Sequence, residues 1–190
     1  MKLKNILIPI IMIVIVVALS GCITDSIGGS AYQKNGMAFD YPGNWEEANS
    51  VANNSMGAIV YSNDSQISIV IQQVPAEFGS TLQQAYDNNN KNLQSINGYT
   101  SIQENNTTVN GRNVTIHRYI DVNQLGQQKE HIASWMTMDD GKNYVILYSA
   151  PVEKYESQKE AYDHVVSSFK LSESKGSSFD NFINGFKGLI

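Results

Sequence analysis

Hydrophobic and polar residues alternate most regularly between Val109 and Ala150, and the pattern predicts three consecutive antiparallel strands. Val114, Ile116, Ile120 and Val122 alternate with Thr115, His117, Tyr119 and Asp121; Ile132 and Met136 alternate with His131, Ala133 and Trp135. These two read as half-buried strands. The run from Asn143 to Ala150 is apolar on both faces, as a strand covered on both sides requires. Asn110-Gly111 suits a type I′ hairpin because both residues tolerate positive φ; Leu125-Gly126 falls in a second connection and Asp139–Lys142 in a third.

The flanking segments fit around this meander. Met37, Phe39 and Tyr41 share one face of a short strand that Pro42-Gly43 halts, with Trp45 returning to the core; the strand is expected to cap one end of the sheet. Ala58 to Tyr61 and Gln66 to Val74 form a hairpin around Asn63-Asp64-Ser65, with Ile67, Ile69 and Ile71 on one face. Ser80 and Gln83 have capping-box spacing, and Leu82, Ala85, Tyr86, Asn89, Leu93 and Ile96 predict a helix over 81–96, ended by Gly98. Its run of Asn residues costs up to about 0.7 kcal/mol each relative to Ala, which the apolar stripe must offset. Thr100 to Val109 reads as a polar edge strand. Pro151 ends the meander and starts a helix with Tyr155, Gln158, Tyr162, Val165, Val166 and Phe169 along one side. The sum is an α+β domain: a central, mostly antiparallel sheet of about six or seven strands flanked by helices.

The N-terminus has another character. Lys2 and Lys4 precede an uncharged apolar run from Ile6 to Leu19, which ends in Leu19-Ser20-Gly21-Cys22. This is the layout of a secretory signal, and the last four residues resemble the lipobox of prokaryotic lipoproteins. That resemblance implies cleavage before Cys22 and lipidation of its thiol, placing the remainder on the outer face of the cell membrane. The alternative is an uncleaved anchor, since Ile6 to Ile23 is close to the roughly 18-residue minimum for a spanning helix. Residues 1–22 are therefore assigned as signal and anchor, 23–35 as a Gly- and Ser-containing tether, 36–171 as the domain and 172–190 as a tail. In the tail, Phe179, Phe182, Ile183, Phe186, Leu189 and Ile190 recur at helical spacing, which suits a helix closing a sheet face, a membrane surface or a partner helix.

The strand carrying Phe39 and Tyr41, followed by Pro42 and then Trp45, resembles the opening of the PsbP-like family, and so does the order strand, hairpin, helix, meander, closing helix over residues 36–171. The resemblance implies a PsbP-like α/β/α sandwich in an exported protein. It also implies a fold shared with a Ran-binding nuclear import factor, so the fold alone dictates no chemistry. Prokaryotic lipoprotein members of the family are expected to act as binding or assembly factors. The tail after Leu171 departs from the family pattern.

Composition narrows the choice further. A net charge of -5, with only 16% charged residues, lacks the basic footprint of nucleic-acid binding. Cys22 is the single cysteine, so no intrachain disulfide forms and stability rests on the core. The chain contains no Gly-rich phosphate loop, no His-Glu-x-x-His helix and no Gly-x-Ser-x-Gly elbow. His117, Tyr119, His131 and Trp135 share one sheet face, with Asp121 two residues from Tyr119 and Glu130 on the other side. The residue types admit a metal site, a polar-aromatic binding face, or two individually hydrogen-bonded histidines on a half-solvated sheet; the last is the simplest. His164 reads as a surface residue. Asn53, Asn63, Asn105, Asn106 and Asn113 begin sequons that an exported domain could have glycosylated. The expectation is a non-enzymatic, membrane-anchored lipoprotein with an unidentified protein partner and no cofactor or resident metal. The alternative is a metal-dependent or hydrolytic enzyme, or a small-ligand or metal carrier, using the His117 and His131 face.

Overall fold

The computed structural model describes residues 29–48, 57–123 and 125–172. Along them run β1 (Gly29–Lys34), β2 (Met37–Pro42), β3 (Glu46–Glu47), β4 (Gly57–Tyr61), β5 (Ser68–Gln73), α1 (Leu82–Leu93), β6 (Thr100–Val109), β7 (Arg112–Val122), β8 (Gln128–Thr137), β9 (Asn143–Pro151), α2 (Lys159–Ser168) and β10 (Lys170–Leu171). Seven strands pair in the order β3-β4-β5-β9-β8-β7-β6, and β1, β2 and β10 form a separate three-stranded sheet. Every pairing is antiparallel.

The meander forms as the alternation predicts, with Asn110 and Gly111 both at positive φ in the β6–β7 turn. One face of the large sheet carries Val60, Ile69, Ile71, Val114, Ile132, Met136, Tyr144, Ile146 and Tyr148 in a core shared with the small sheet and α2. The small sheet contributes Met37, Phe39 and Tyr41, and α2 contributes Tyr162, Val165 and Val166. The Asn110 side chain donates to the Ser167 carbonyl at 2.6 Å, fastening the end of α2 to the β6–β7 turn. The other face is covered in part by α1, whose Ala85 and Tyr86 pack on Ala133 and Trp135. The result is an α/β/α sandwich with the central strands β8 and β9 buried between layers.

The structure corrects several expectations. Gly29–Lys34 has the small residues of a tether, but it forms β1, with Tyr32 buried and stacked on Phe39 at a ring-centroid distance of 4.7 Å. The folded unit therefore includes Gly29–Lys34. β2 does not cap an end of the main sheet; it is the middle strand of the small sheet lying over one face. The N-cap of α1 is Thr81, not Ser80: its Oγ1 accepts from the Gln84 N–H at 3.2 Å, while the Ser80 N–H and hydroxyl both donate to the Gln84 side chain. The helix ends at Leu93, which leaves Ile96 exposed instead of on the packed stripe. After Pro151 the chain makes a 3-10 stretch over Val152–Gln158 before α2. There the Tyr155 carbonyl is taken by the Tyr148 hydroxyl at 2.7 Å, an acceptor that a regular helix would use internally. The signal, Cys22, Asn53 and the amphipathic tail lie outside the described residues.

Candidate functional site

The site is built from the face of the large sheet that α1 overlies. Register places Thr115 opposite Trp135, His117 opposite Ala133 and Tyr119 opposite His131, and it continues from His131 to Ser149 on β9. The four residues expected on an open binding face are buried: His117 is fully enclosed, and Tyr119, His131 and Trp135 are each less than a tenth exposed. The cover comes from Tyr86, whose ring meets Trp135 and His117 edge-on at 5.9 Å, and from Tyr99, 6.2 Å from His117 and 5.8 Å from Tyr119. The half-solvated reading is thus corrected, since aromatic rings from α1 and the loop after it displace water from this face.

Hydrogen bonds make the burial of these polar groups tolerable. His131 Nε2 lies 3.2 Å from Asp121 Oδ1, and Nδ1 lies 2.7 Å from the Ser149 hydroxyl. An ionised carboxylate only accepts, so Nε2–H donates to Asp121 and, in the neutral ring, Nδ1 accepts from Ser149 O–H. Tyr119 stacks on the same ring at 4.7 Å and 16°. His117 Nε2 meets the Tyr99 hydroxyl at 3.2 Å and the Ser101 hydroxyl at 3.3 Å, with Glu104 at 3.7 Å. Its Nδ1, like Trp135 Nε1, has no partner among the described residues. On the opposite face Glu130 is buried against Arg118, as the strand period requires.

Burial is the largest influence on both imidazoles and lowers their pKa, with Glu104 opposing it at His117 and Asp121 at His131. Burial also pushes Tyr86 up to about 12 and raises Tyr119, the latter with help from Asp121. The folded histidines resist protons that the unfolded chain binds at the ordinary value of 6.5. Stability is then complete above that value and is lost as pH falls from it towards the lower folded values. Melting temperature should drop across this window, and His131→Gln should make the drop shallower; a variant with the wild-type slope would remove His131 from the account.

Ser149, His131 and Asp121 present hydroxyl, imidazole and carboxylate in hydrogen-bonded series, the order an activated nucleophile requires. Acyl transfer also requires donors aimed at a developing oxyanion and room for a substrate. Ser149 lies inside β9, paired with Ser68 on one side and His131 on the other, and only 9% exposed. Its backbone is spent on the sheet. The arrangement is suited to holding three strands in register through polar side chains. Among the described residues no group of three or more His, Cys, Asp or Glu side chains is placed to hold a metal ion.

The grouping of His117, Tyr119, His131, Trp135 and Asp121 was readable from alternation, but Ser149, Tyr99, Ser101, Glu104 and Tyr86 were missed. For Ser149 a usable signal existed, because the period of β9 places it with Val145 and Leu147. Asn63, Asn105, Asn106 and Asn113 are exposed, and His164 is exposed on α2. No helix among the described residues is long and apolar enough to cross a membrane.

An antiparallel meander between α1 on one side and α2 with a small sheet on the other defines an α+β sandwich with an internally bonded polar row. The sequence model of the PsbP family matches residues 28–171, and the protein belongs to that family. The solution structure of cyanobacterial PsbP from Synechocystis is similar at a TM-score of 0.50 and 17% identity, covering 82% of this chain and 99% of that one. The Ran-binding protein Mog1p of Saccharomyces cerevisiae has a TM-score of 0.53 at 13% identity, covering 77% and 96%. A Pseudomonas aeruginosa protein of unknown function, described as a putative regulator, has 0.53 at 9%, covering 73% and 94%. Identities this low carry the fold alone. No curated protein matches the sequence.

Proposed function

We propose that this protein is a binding or assembly module without catalytic activity, held on the outer face of the cell membrane by a lipid on Cys22, and that its partner is a protein. The observation that carries the reading is the internal use of the polar groups: His117, His131, Asp121 and Ser149 are engaged with neighbours inside the sandwich. Among the described residues, the loops at the sheet ends and the exposed edge strand β6 are open to recognition. Membership of the PsbP family and a fold shared with the Ran-binding Mog1p support a binding role. The net charge of -5 argues against nucleic acid as the partner.

The anchor is the part most directly tested. Full-length protein recovered from membranes should carry a lipid-sized mass on Cys22, and Cys22→Ser should lose that mass and retain the signal. Unmodified Cys22 in a protein that stays in the membrane fraction would favour the uncleaved helix. A hydrolytic reading has one observation in its favour, the Ser149–His131–Asp121 series. Ester hydrolysis by the purified protein that Ser149→Ala abolishes would establish it.

A further inference from the structure

The large hydrophobic residues left exposed among the described residues are Ile96, Ile102, Leu125 and Val152. They are distant in sequence but share one end of the large sheet. At that end Val122 closes β7 opposite Gln128, and Pro151 closes β9 opposite Lys129. Leu125 sits in the β7–β8 loop and Val152 directly follows β9. Ile102 lies at the start of β6, and Ile96 lies in the connection into it, where the Val122 N–H donates to the Asn97 carbonyl at 3.0 Å. The opposite end, with turns at Asn110-Gly111 and Asp139–Gly141, shows no exposed large hydrophobic among the described residues.

Leu125 is 82% exposed and is held outward by its loop. Asn123 Oδ1 accepts from the N–H groups of Leu125 and Gln127, both at 2.9 Å, and the Asn123 carbonyl accepts from Gly126 N–H. A cleft of about 770 Å³ runs beside it, lined by Leu125, Pro151 and Val152 together with Gln66, Lys129 and Glu153, so Leu125 and Val152 border one mixed apolar and polar hollow.

The chain also enters the domain at this end. Gly29 pairs with Pro42, the Pro42 carbonyl accepts from Trp45 N–H at 2.9 Å, and Glu46 then pairs with Tyr61, where β4 turns into β5. That turn is joined to the segment after β9 by Lys154 and Asp64 at 2.6 Å. Because β1 absorbs Gly29–Lys34, the link from Cys22 shrinks to residues 23–28, which span at most about 20 Å when fully extended.

We propose that this end of the domain rests on the lipid surface, with Leu125 entering the interfacial layer and Val152, Ile96 and Ile102 around it. The inference builds on the membrane-anchored reading above. A short link emerging at the same end of the sheet, on its β3–β4 side, keeps that end near the bilayer, and an exposed leucine at the interface buries apolar area that water otherwise surrounds. Lys154 is paired with Asp64, and Glu153 lines the same cleft as Lys129, so contact depends on apolar insertion and the tether rather than on anionic lipid.

The test uses the full-length lipidated chain in phosphatidylcholine vesicles. Leu125→Cys and, separately, Asp139→Cys at the far end are labelled with an environment-sensitive dye; the unsubstituted protein, with its thiol occupied, is the blank. Val152→Cys gives a second reading at the proposed contact. Dye at 125 and 152 should shift to the blue and brighten several-fold on the vesicles, and lipid-borne quenchers should dim it, while dye at 139 stays unchanged. If the protein floats with the vesicles but the 125 and 152 positions remain as wet as 139, the orientation is wrong and the apolar end belongs to a protein partner. If the protein does not float at all, the anchored reading fails and this inference with it.

Discussion

Trp45→Ala is expected to lower stability by about 3–5 kcal/mol, the usual cost of deleting a large buried ring. Trp45 is 5% exposed and packs in the core between the small sheet and the large one. Its backbone N–H donates to the Pro42 carbonyl at 2.9 Å, and the next residue begins β3. The ring therefore fills the corner at which the chain leaves one sheet for the other. With one cysteine the chain has no intrachain disulfide to compensate, and a loss of this size is a large part of the roughly 5–15 kcal/mol available to a domain. Denaturant unfolding of the variant measures the effect directly. A midpoint equal to wild type would mean that the corner repacks without the indole.

Arg118→Ala is expected to cost about 3 kcal/mol, and the reason is what it leaves behind. The guanidinium projects from β7, donates through Nε to Glu130 and through Nη2 to Glu156 at 3.0 Å, and lies 4.4 Å from the centre of the Tyr155 ring. Glu156 is 71% exposed, so its pair contributes little. The Glu130 side chain is only 7% exposed, and removing Arg118 strands its charge beneath the 3-10 stretch. Replacing both members, as in Arg118→Met with Glu130→Leu, should recover most of the loss, because a hydrophobic pair of similar volume needs no compensation. A double variant as unstable as Arg118→Ala would place the cost in lost packing on Tyr155 instead.

The two histidines show how far side-chain alternation carries. The strict period of β7 and β8 put His117, Tyr119, His131, Trp135 and Asp121 on one face and Glu130 on the other, and pairing kept them there. The same period could not report that this face is closed. Its polar residues resemble those of a solvated sheet, and only Tyr86 from α1 and Tyr99 from the following loop convert it into an interior. Nor did it join Ser149 to His131, because that contact depends on the register of β8 against β9.

The strands of the meander, the turn at Asn110-Gly111, the position of α1 and the buried role of Trp45 were all legible because each rests on chemistry within a few residues: alternation, positive φ, an apolar stripe, a bulky ring after a Pro-Gly stop. The tether was misread for the complementary reason. Gly29–Lys34 has a linker's composition and becomes a strand because β2 offers it an edge and Phe39 a ring to stack on. Likewise Ile96 continues a helical stripe in the sequence, yet the helix stops at Leu93 and leaves it exposed at the end of the sheet that also carries Leu125 and Val152. Which face a helix covers, which edge a strand finds and which loop tips gather at one end are decided by contacts between residues far apart in the chain. Local propensity holds no record of them, since their free energy exists only once the layers have packed.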